Sequence, residues 1–399
     1  MSSGDSVEAV FREEHGRLLA ALARRFGDLD LAEEVTSEAI EAALVRWPVD
    51  GVPPNPGAWL MTTARRKAVD RLRRDAVLAT RLAVLRVEAE RAAPPPAGDE
   101  FPDERLQLFF TCAHPALAAE DRITLTLRCL AGLTTPEVAR AFLVPTATMA
   151  KRITRAKQRI RDARIPFRVP DPDELPDRLP VVLHVIYSIF TEGYAAKRAD
   201  LADEAIRLAR ILRRLAPAEP EATGLLALLL LVHARRTPAA VPLAEQDRGT
   251  WDRDLIAEGA ALVVEALTGG PPRFYAVQAA IAALHDEAPD LESTDWPQIV
   301  ALYDVLMAIA PSPVVALNRA AAVAMRDGPA AGLALLDELA DEPLLRGYHP
   351  YPASRADLLD RLGRRGEAVA AYRDALRLAG TDAERAFLTR RITAIEEAG

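Results

Sequence analysis

Apolar residues in this chain recur at intervals of three and four, and few stretches alternate at two. A helix presents one face every 3.6 residues, whereas a half-buried strand does so every second residue. The spacing therefore predicts an all-α protein and argues against a strand-bearing fold. Val7, Val10, Phe11, Leu18, Leu22 and Phe26 trace one face of a first helix. Asp30 followed by Glu33 resembles a capping box that opens a second helix, expected to run to Trp47 and stop before Pro48.

Proline marks the joints. Residues 92–104 begin AAPPPAGDE, which reads as an extended linker. Pro166, Pro170, Pro172, Pro176 and Pro180 crowd a second joint over 169–180, where loss of backbone donors predicts that no helix survives. The joints divide the 399 residues into pieces at 1–91, 105–168 and 181–399, in line with two or three domains for this length. In the last piece, 314–340 and 352–379 are weakly self-similar, each with two helical stretches around a break containing Gly328 or Gly366. The stretch RLGRRGEAVAAYRDALRLA (361–379) resembles a tetratricopeptide unit, so this piece is expected to be a helical-repeat extension.

Net charge is −8, but it is unevenly spread. Residues 1–168 hold 26 basic and 23 acidic side chains, and the remainder 24 and 35, a balance of +3 against −11. Two stretches concentrate the cations. Residues 59–74 carry Arg65, Arg66, Lys67, Arg71, Arg73 and Arg74 against Asp70 alone. Residues 151–168 carry eight basic groups against Asp162. Focused cationic helices in an acidic chain suggest contact with a polyanion, although solvated helix faces have the same composition.

At about 100° per residue, Met61, Ala64, Ala68 and Leu72 share one arc of the first basic helix, and the cations occupy most of the rest. Trp59 falls beside Arg66 and Arg73, where an indole among guanidinium groups would stack on a single-stranded base. The alternative is that Trp59 packs on a neighbouring helix. The second basic helix, about 146–165, has a core stripe of Met149, Ile153, Ala156, Ile160 and Ala163. Thr148, Lys151, Arg152, Arg155 and Arg159 flank that stripe. Upstream, TTPEVARAF (134–142) reads as a short helix capped by Thr135, and LeuValPro (143–145) as a turn. Short helix, turn and longer basic helix outline a helix-turn-helix, with a plain helical hairpin as the alternative.

These residues resemble a known family. AWLMTTARRKAVDRLRR (58–74) resembles the promoter-melting helix of extracytoplasmic-function sigma factors of bacterial RNA polymerase. GLTTPEVARAFLVPTATMAKRITRAK (132–157) is similar to the domain of those factors that reads the minus-thirty-five element. DLDLAEEVTSEAIEAALVRW (28–47) resembles their polymerase-docking helix. Departures are Leu143 and Ala147 where glycine is common, Ala150 where lysine is, and Arg66 where asparagine is. VIYSIFTEGY (185–194) looks like the opening of the long C-terminal extension of one subgroup, although the residues by themselves read rather as an ordinary core helix ended at Gly193.

The resemblance implies a factor that binds core RNA polymerase and promoter DNA and promotes strand opening. It places a region 2 domain at 1–91 and a region 4 helix-turn-helix at 105–168. Thr148, Lys151, Arg152, Arg155 and Arg159 would meet the minus-thirty-five duplex. Asn55, Trp59, Arg65, Arg66 and Arg73 would hold the minus-ten strand. Glu34, Glu38, Glu41 and Trp47 would dock on the polymerase. The acidic extension is expected to contact protein rather than DNA, and to regulate the factor by docking on the sigma domains or on polymerase.

Other classes remain open at this point. A stand-alone helix-turn-helix regulator with a sensing repeat domain would need neither the docking helix nor the Trp-bearing basic helix. A repeat scaffold would not depend on Arg152 and Arg155. An enzyme finds no support: GxxxxGK, HExxH, GxSxG, CxxC and EF-hand spacings do not occur, and the six histidines are scattered. No cofactor or metal is expected. Cys112 and Cys129 form no disulfide framework, and the N-terminus shows no signal pattern. The longest apolar run, Leu225–Val232, is too short for a membrane span. The expected compartment is the cytoplasm.

Overall fold

The structure is a computed structural model that describes residues 3–78, 104–142, 144–195, 199–236, 243–268 and 270–397. Eighteen α-helices and no strand occur among the described residues. The chain divides into two compact units, Met1–Ala216 and Pro217–Gly399. The expected linker at 92–103, and Leu143 of the expected turn, lie outside the described residues, as do the side chains of Val7, Val10, Phe11 and Tyr194.

The first unit begins with α1 (Ser3–Phe26), α2 (Leu29–Asp50) and α3 (Pro56–Leu78). Leu18 and Leu22 of α1 meet Ala32, Val35, Ala39 and Ala43 of α2 and Leu60, Met61, Ala64 and Ala68 of α3, all buried. Leu72 is only half-buried, so the α3 core arc ends one turn earlier than expected. The cap of α2 is Asp28, whose carboxylate accepts from the Asp30 and Leu31 amides at 2.8 and 3.1 Å. Asp30 and Glu33 do not cap the helix, because their carboxylates are committed to cations far along the chain. The helix also passes Pro48 and ends at Asp50. Proline removes a single donor here, and the carbonyl it would have served belongs to Leu44, which is exposed and open to water.

The same unit continues with α4 (Arg105–Cys112), α5 (Ala119–Cys129), α6 (Thr135–Ala141) and α7 (Thr146–Asp162). It closes with α8 (Leu175–Ala195) and α9 (Ala199–Leu215). The proline-rich joint is therefore shorter than expected, since α8 contains Pro176 and Pro180. Both rings are exposed: Pro176 lies in the first turn, where amides have no partner within the helix to lose, and Pro180 removes one donor whose acceptor would be the carbonyl of exposed Pro176. Gly193 lies inside α8, and Val185, Ile186, Ile189 and Phe190 are buried, as a core helix requires. Arg178 of α8 donates to the Phe110 carbonyl at 2.9 Å, and Arg207 of α9 to the Leu130 carbonyl at 3.2 Å. These two helices thus pack on α4 and α5.

The second unit runs through α10 (Pro220–Ala234), α11 (Arg253–Thr268), α12 (Phe274–Glu287), α13 (Trp296–Ile309), α14 (Pro313–Asp327), α15 (Pro329–Glu338), α16 (Pro350–Arg361), α17 (Arg365–Leu378) and α18 (Asp382–Glu397). Sequential helices pair as hairpins along the chain. Helices α10 and α12 approach so closely at Gly224 that an added Cβ would lie 2.6 Å from the Ala276 amide nitrogen. In the last hairpins Leu317, Leu336, Leu359, Tyr372 and Leu388 share one core. The turn between α16 and α17 is made by Gly363 at φ 75°, and Gly366 lies within α17. No helix among the described residues is long and apolar enough to cross a membrane.

Candidate nucleic-acid interfaces

Helices α6 and α7 form a helix-turn-helix on local signals. Thr134, rather than Thr135, caps α6: its hydroxyl accepts from the Glu137 amide, and the Glu137 carboxylate accepts from the Thr134 amide at 2.7 Å. Met149, Ile153, Ala156 and Ile160 of α7 are buried, while Ala163 lies past the helix end and is exposed. Pro145 at the start of α7 supplies no side-chain acceptor, which leaves the first amides open to an outside group such as a phosphate.

The five side chains expected to meet duplex DNA do not share one environment. Thr148, Lys151 and Arg155 are exposed on one flank of the first three turns. Arg152 is half-buried, 2.9 Å from the Glu120 carboxylate and stacked 5.6 Å from the centre of the Phe142 ring. Arg159 donates to the Ala116 carbonyl at 2.9 Å. Arg152 and Arg159 therefore hold the helix-turn-helix together, and the outward surface is Thr148, Lys151 and Arg155.

On the other basic helix, Arg66 is exposed and Arg73 half-buried. Arg65 is half-buried with its Nε lacking a partner, and burial, then repulsion from Arg25, lowers its pKa. Trp59 meets Trp47 edge-on, ring centres 5.5 Å apart at 65°. Trp47 itself is only 4% exposed. It belongs to the core, where the turn before α3 folds Trp59 back over it. Trp59 keeps part of its ring at the surface beside Arg66.

Asn55 starts α3. Its Oδ1 accepts from the Ala58 amide at 2.9 Å, so the carbonyl end of its side chain serves as a cap. Replacement of Asn55 by alanine is expected to cost about 1 kcal/mol of stability, read as a lowered Tm. Replacement by aspartate keeps the acceptor and the Tm while removing the amide donor, so any loss of strand binding in Asn55→Asp isolates base contact from capping.

Of the acids on α2, Glu38 pairs with Lys67 at 3.0 Å and Arg71 at 3.3 Å, and Glu34 with Arg71 at 2.5 Å. These ties fix the register of α2 against α3. Glu41 is exposed. Beyond it Leu44, Val45, Val49 and Val52 stand out of the surface at 49%, 74%, 84% and 45% exposure. Leu44, Val45 and Val49 lie on the outer face of α2, and Val52 just past its end. The sequence held the signal, since these residues fall outside the Ala32, Val35, Ala39, Ala43 and Trp47 stripe.

Three known families match parts of the chain, the third of them across the boundary between the two units. Residues 10–77 match sigma-70 region 2, residues 110–160 match sigma-70 region 4, and residues 178–267 match a family of unknown function (DUF6596). An uncharacterized protein of Rhizobium meliloti (strain 1021) is 44% identical over 399 residues, covering 93% of this chain and 91% of the relative.

Proposed function

The chain belongs to the extracytoplasmic-function sigma factors and acts in transcription initiation with core RNA polymerase and promoter DNA, and from that premise we propose how its surfaces divide the work. The observation that carries the proposal is the contrast on α7 between outward Lys151 and Arg155 and inward Lys157. Thr148, Lys151 and Arg155 read the duplex in the major groove, and the open amides at the start of α7 bind a phosphate. Trp59, with Arg66 and Arg73 beside it, holds the displaced strand by stacking and charge. Glu41 and the Leu44, Val45 and Val49 stripe dock on polymerase. None of these steps asks the chain for covalent chemistry, and its place of action is the cytoplasm, where polymerase is.

The acidic C-terminal region regulates the factor. What supports this reading is its surplus of 35 acidic over 24 basic groups beyond residue 168, which disfavours DNA as its partner. The test is run-off transcription with core polymerase on DNA upstream of the chain's own gene, using the full chain and a chain ending at Ala216. Cutting there keeps α8 and α9 packed on α4 and α5. A start-specific transcript that changes several-fold on truncation is the expected result. An unchanged transcript overturns the regulatory reading, and tight promoter binding without polymerase would favour a stand-alone regulator.

A further inference from the structure

The C-terminal end of α7 closes in a Schellman turn. The Arg164 amide donates to the Arg161 carbonyl at 3.1 Å, and the Ile165 amide to the Ile160 carbonyl at 3.0 Å. Such a turn puts its penultimate residue in the left-handed region, where a Cβ is strained and glycine is usual. Here that residue is Arg164 at φ 50°, the one side-chain-bearing residue with positive φ among the described residues. Glycine would hold the same turn with less strain, so the arginine's contribution lies in its side chain. That side chain is exposed, and among the described residues it forms no ion pair and no hydrogen bond.

Arg164 borders a cleft of about 280 Å³ between the turn that joins α1 to α2 and the end of α7. Leu29, Ile160 and Ile165 are buried and Phe167 half-buried, and they give the cleft apolar walls. Lys157 and Arg161 also line it, but both belong to a seam of ion pairs. Lys157 lies 2.9 Å from Asp30 and also bonds Glu33, and Arg161 pairs with Asp30. Their charge is spent, and Arg164 is the cation left over. Gly27 borders the cleft as well, and a Cβ there would meet nothing within 4 Å, so that edge stands open.

We infer that this cleft binds a small organic anion, a carboxylate carried on a compact apolar body of one or two rings. The planar guanidinium of Arg164 matches a carboxylate with two parallel donors, and the rings lie against Leu29, Ile160, Ile165 and Phe167. A bare inorganic anion would gain nothing from those walls. A neutral ring would cover the guanidinium without giving it an acceptor, which costs free energy. The volume is at the small end of ligand pockets, about 300–1,000 Å³, and that sets the limit on size. The site goes beyond the sigma-factor reading and does not depend on it.

The test titrates the full chain by isothermal calorimetry with naphthoate, and with naphthamide as its uncharged counterpart. One site for naphthoate with a Kd of about 1 mM or tighter is expected, and naphthamide should bind about tenfold more weakly. Hydrogen exchange should locate the ligand by slowing in peptides that cover 26–31 and 160–167. Arg164→Gly removes the guanidinium and relaxes the turn, so the Tm should hold or rise while naphthoate binding falls about tenfold. Arg164→Lys keeps the charge without the planar fork and should fall between the two. Phe167→Ala should weaken naphthoate and naphthamide alike. Absence of naphthoate binding, indifference to Arg164→Gly, equal affinity for naphthamide, or slowed exchange elsewhere overturns the site. Neither polymerase nor promoter enters these measurements, so the sigma-factor reading is decided separately.

Discussion

Replacing Lys151 and Arg155 together with alanine is expected to lower transcript output from a target promoter about a hundredfold while barely moving the Tm. A well-formed base contact contributes about 1–3 kcal/mol of discrimination. Two such contacts at about 1.4 kcal/mol each, inside that range, combine to roughly two decades. Both side chains are exposed on α7, and substitutions of that kind usually change stability by less than about 0.5 kcal/mol. The measurement is run-off transcription alongside thermal unfolding of the same preparations. Arg152→Ala is the wrong probe, because removing that guanidinium also unties Glu120 and uncovers Phe142. Should the double variant transcribe normally, the reading face of α7 has been misplaced.

Acidification is expected to weaken the first unit well before the second. His15 is fully buried, and burial, followed by repulsion from Arg128, lowers its pKa to about 4. The unfolded chain takes up a proton near pH 6.5 that the folded unit refuses until about pH 4. Stability is therefore intact above pH 6.5 and falls by about 3 kcal/mol as pH drops to 4. Below that, the Asp30 and Glu33 carboxyls, held below their ordinary range by their cations, continue the same trend.

In the second unit two neighbours oppose each other. Burial lowers His285 to about 4, which favours higher pH, and pushes Asp286 up to about 7, which favours lower pH. Between pH 4 and 6.5 their slopes nearly cancel. Hydrogen exchange followed peptide by peptide from pH 7 to 4.5 should show protection falling in residues 14–216 and holding in 217–397. His15→Gln should flatten the first response. Equal loss in both units would contradict this account.

The sequence carried the helix-turn-helix because everything that defines it is local. Thr134, Glu137 and the Met149, Ile153, Ala156 and Ile160 stripe act within a turn or two of themselves. The two basic helices were equally visible. What could not be read was which cations face inward. Lys157 carries the same charge as Lys151, and Asp30 and Glu33, 127 and 124 residues away, distinguish them. Asp30 and Glu33 looked like a cap because their spacing is that of a cap, yet Asp28 takes the task and frees them for the seam. Trp47 and Trp59 each looked available until the turn between α2 and α3 brought their rings together. The prolines misled for a related reason, since Pro48 and Pro180 lie near helix ends, where a missing donor costs little.

The anchoring of α8 and α9 on α4 and α5, the helices behind the helix-turn-helix, has a practical bearing on building chimaeras. Arg178 and Arg207 each satisfy a main-chain oxygen at the rear of that module. A graft made at the proline cluster would strip both groups away and leave those oxygens to solvent. Exchanging tails between related factors therefore calls for a splice near residue 216, carrying the two helices with the promoter reader as its own backing plate.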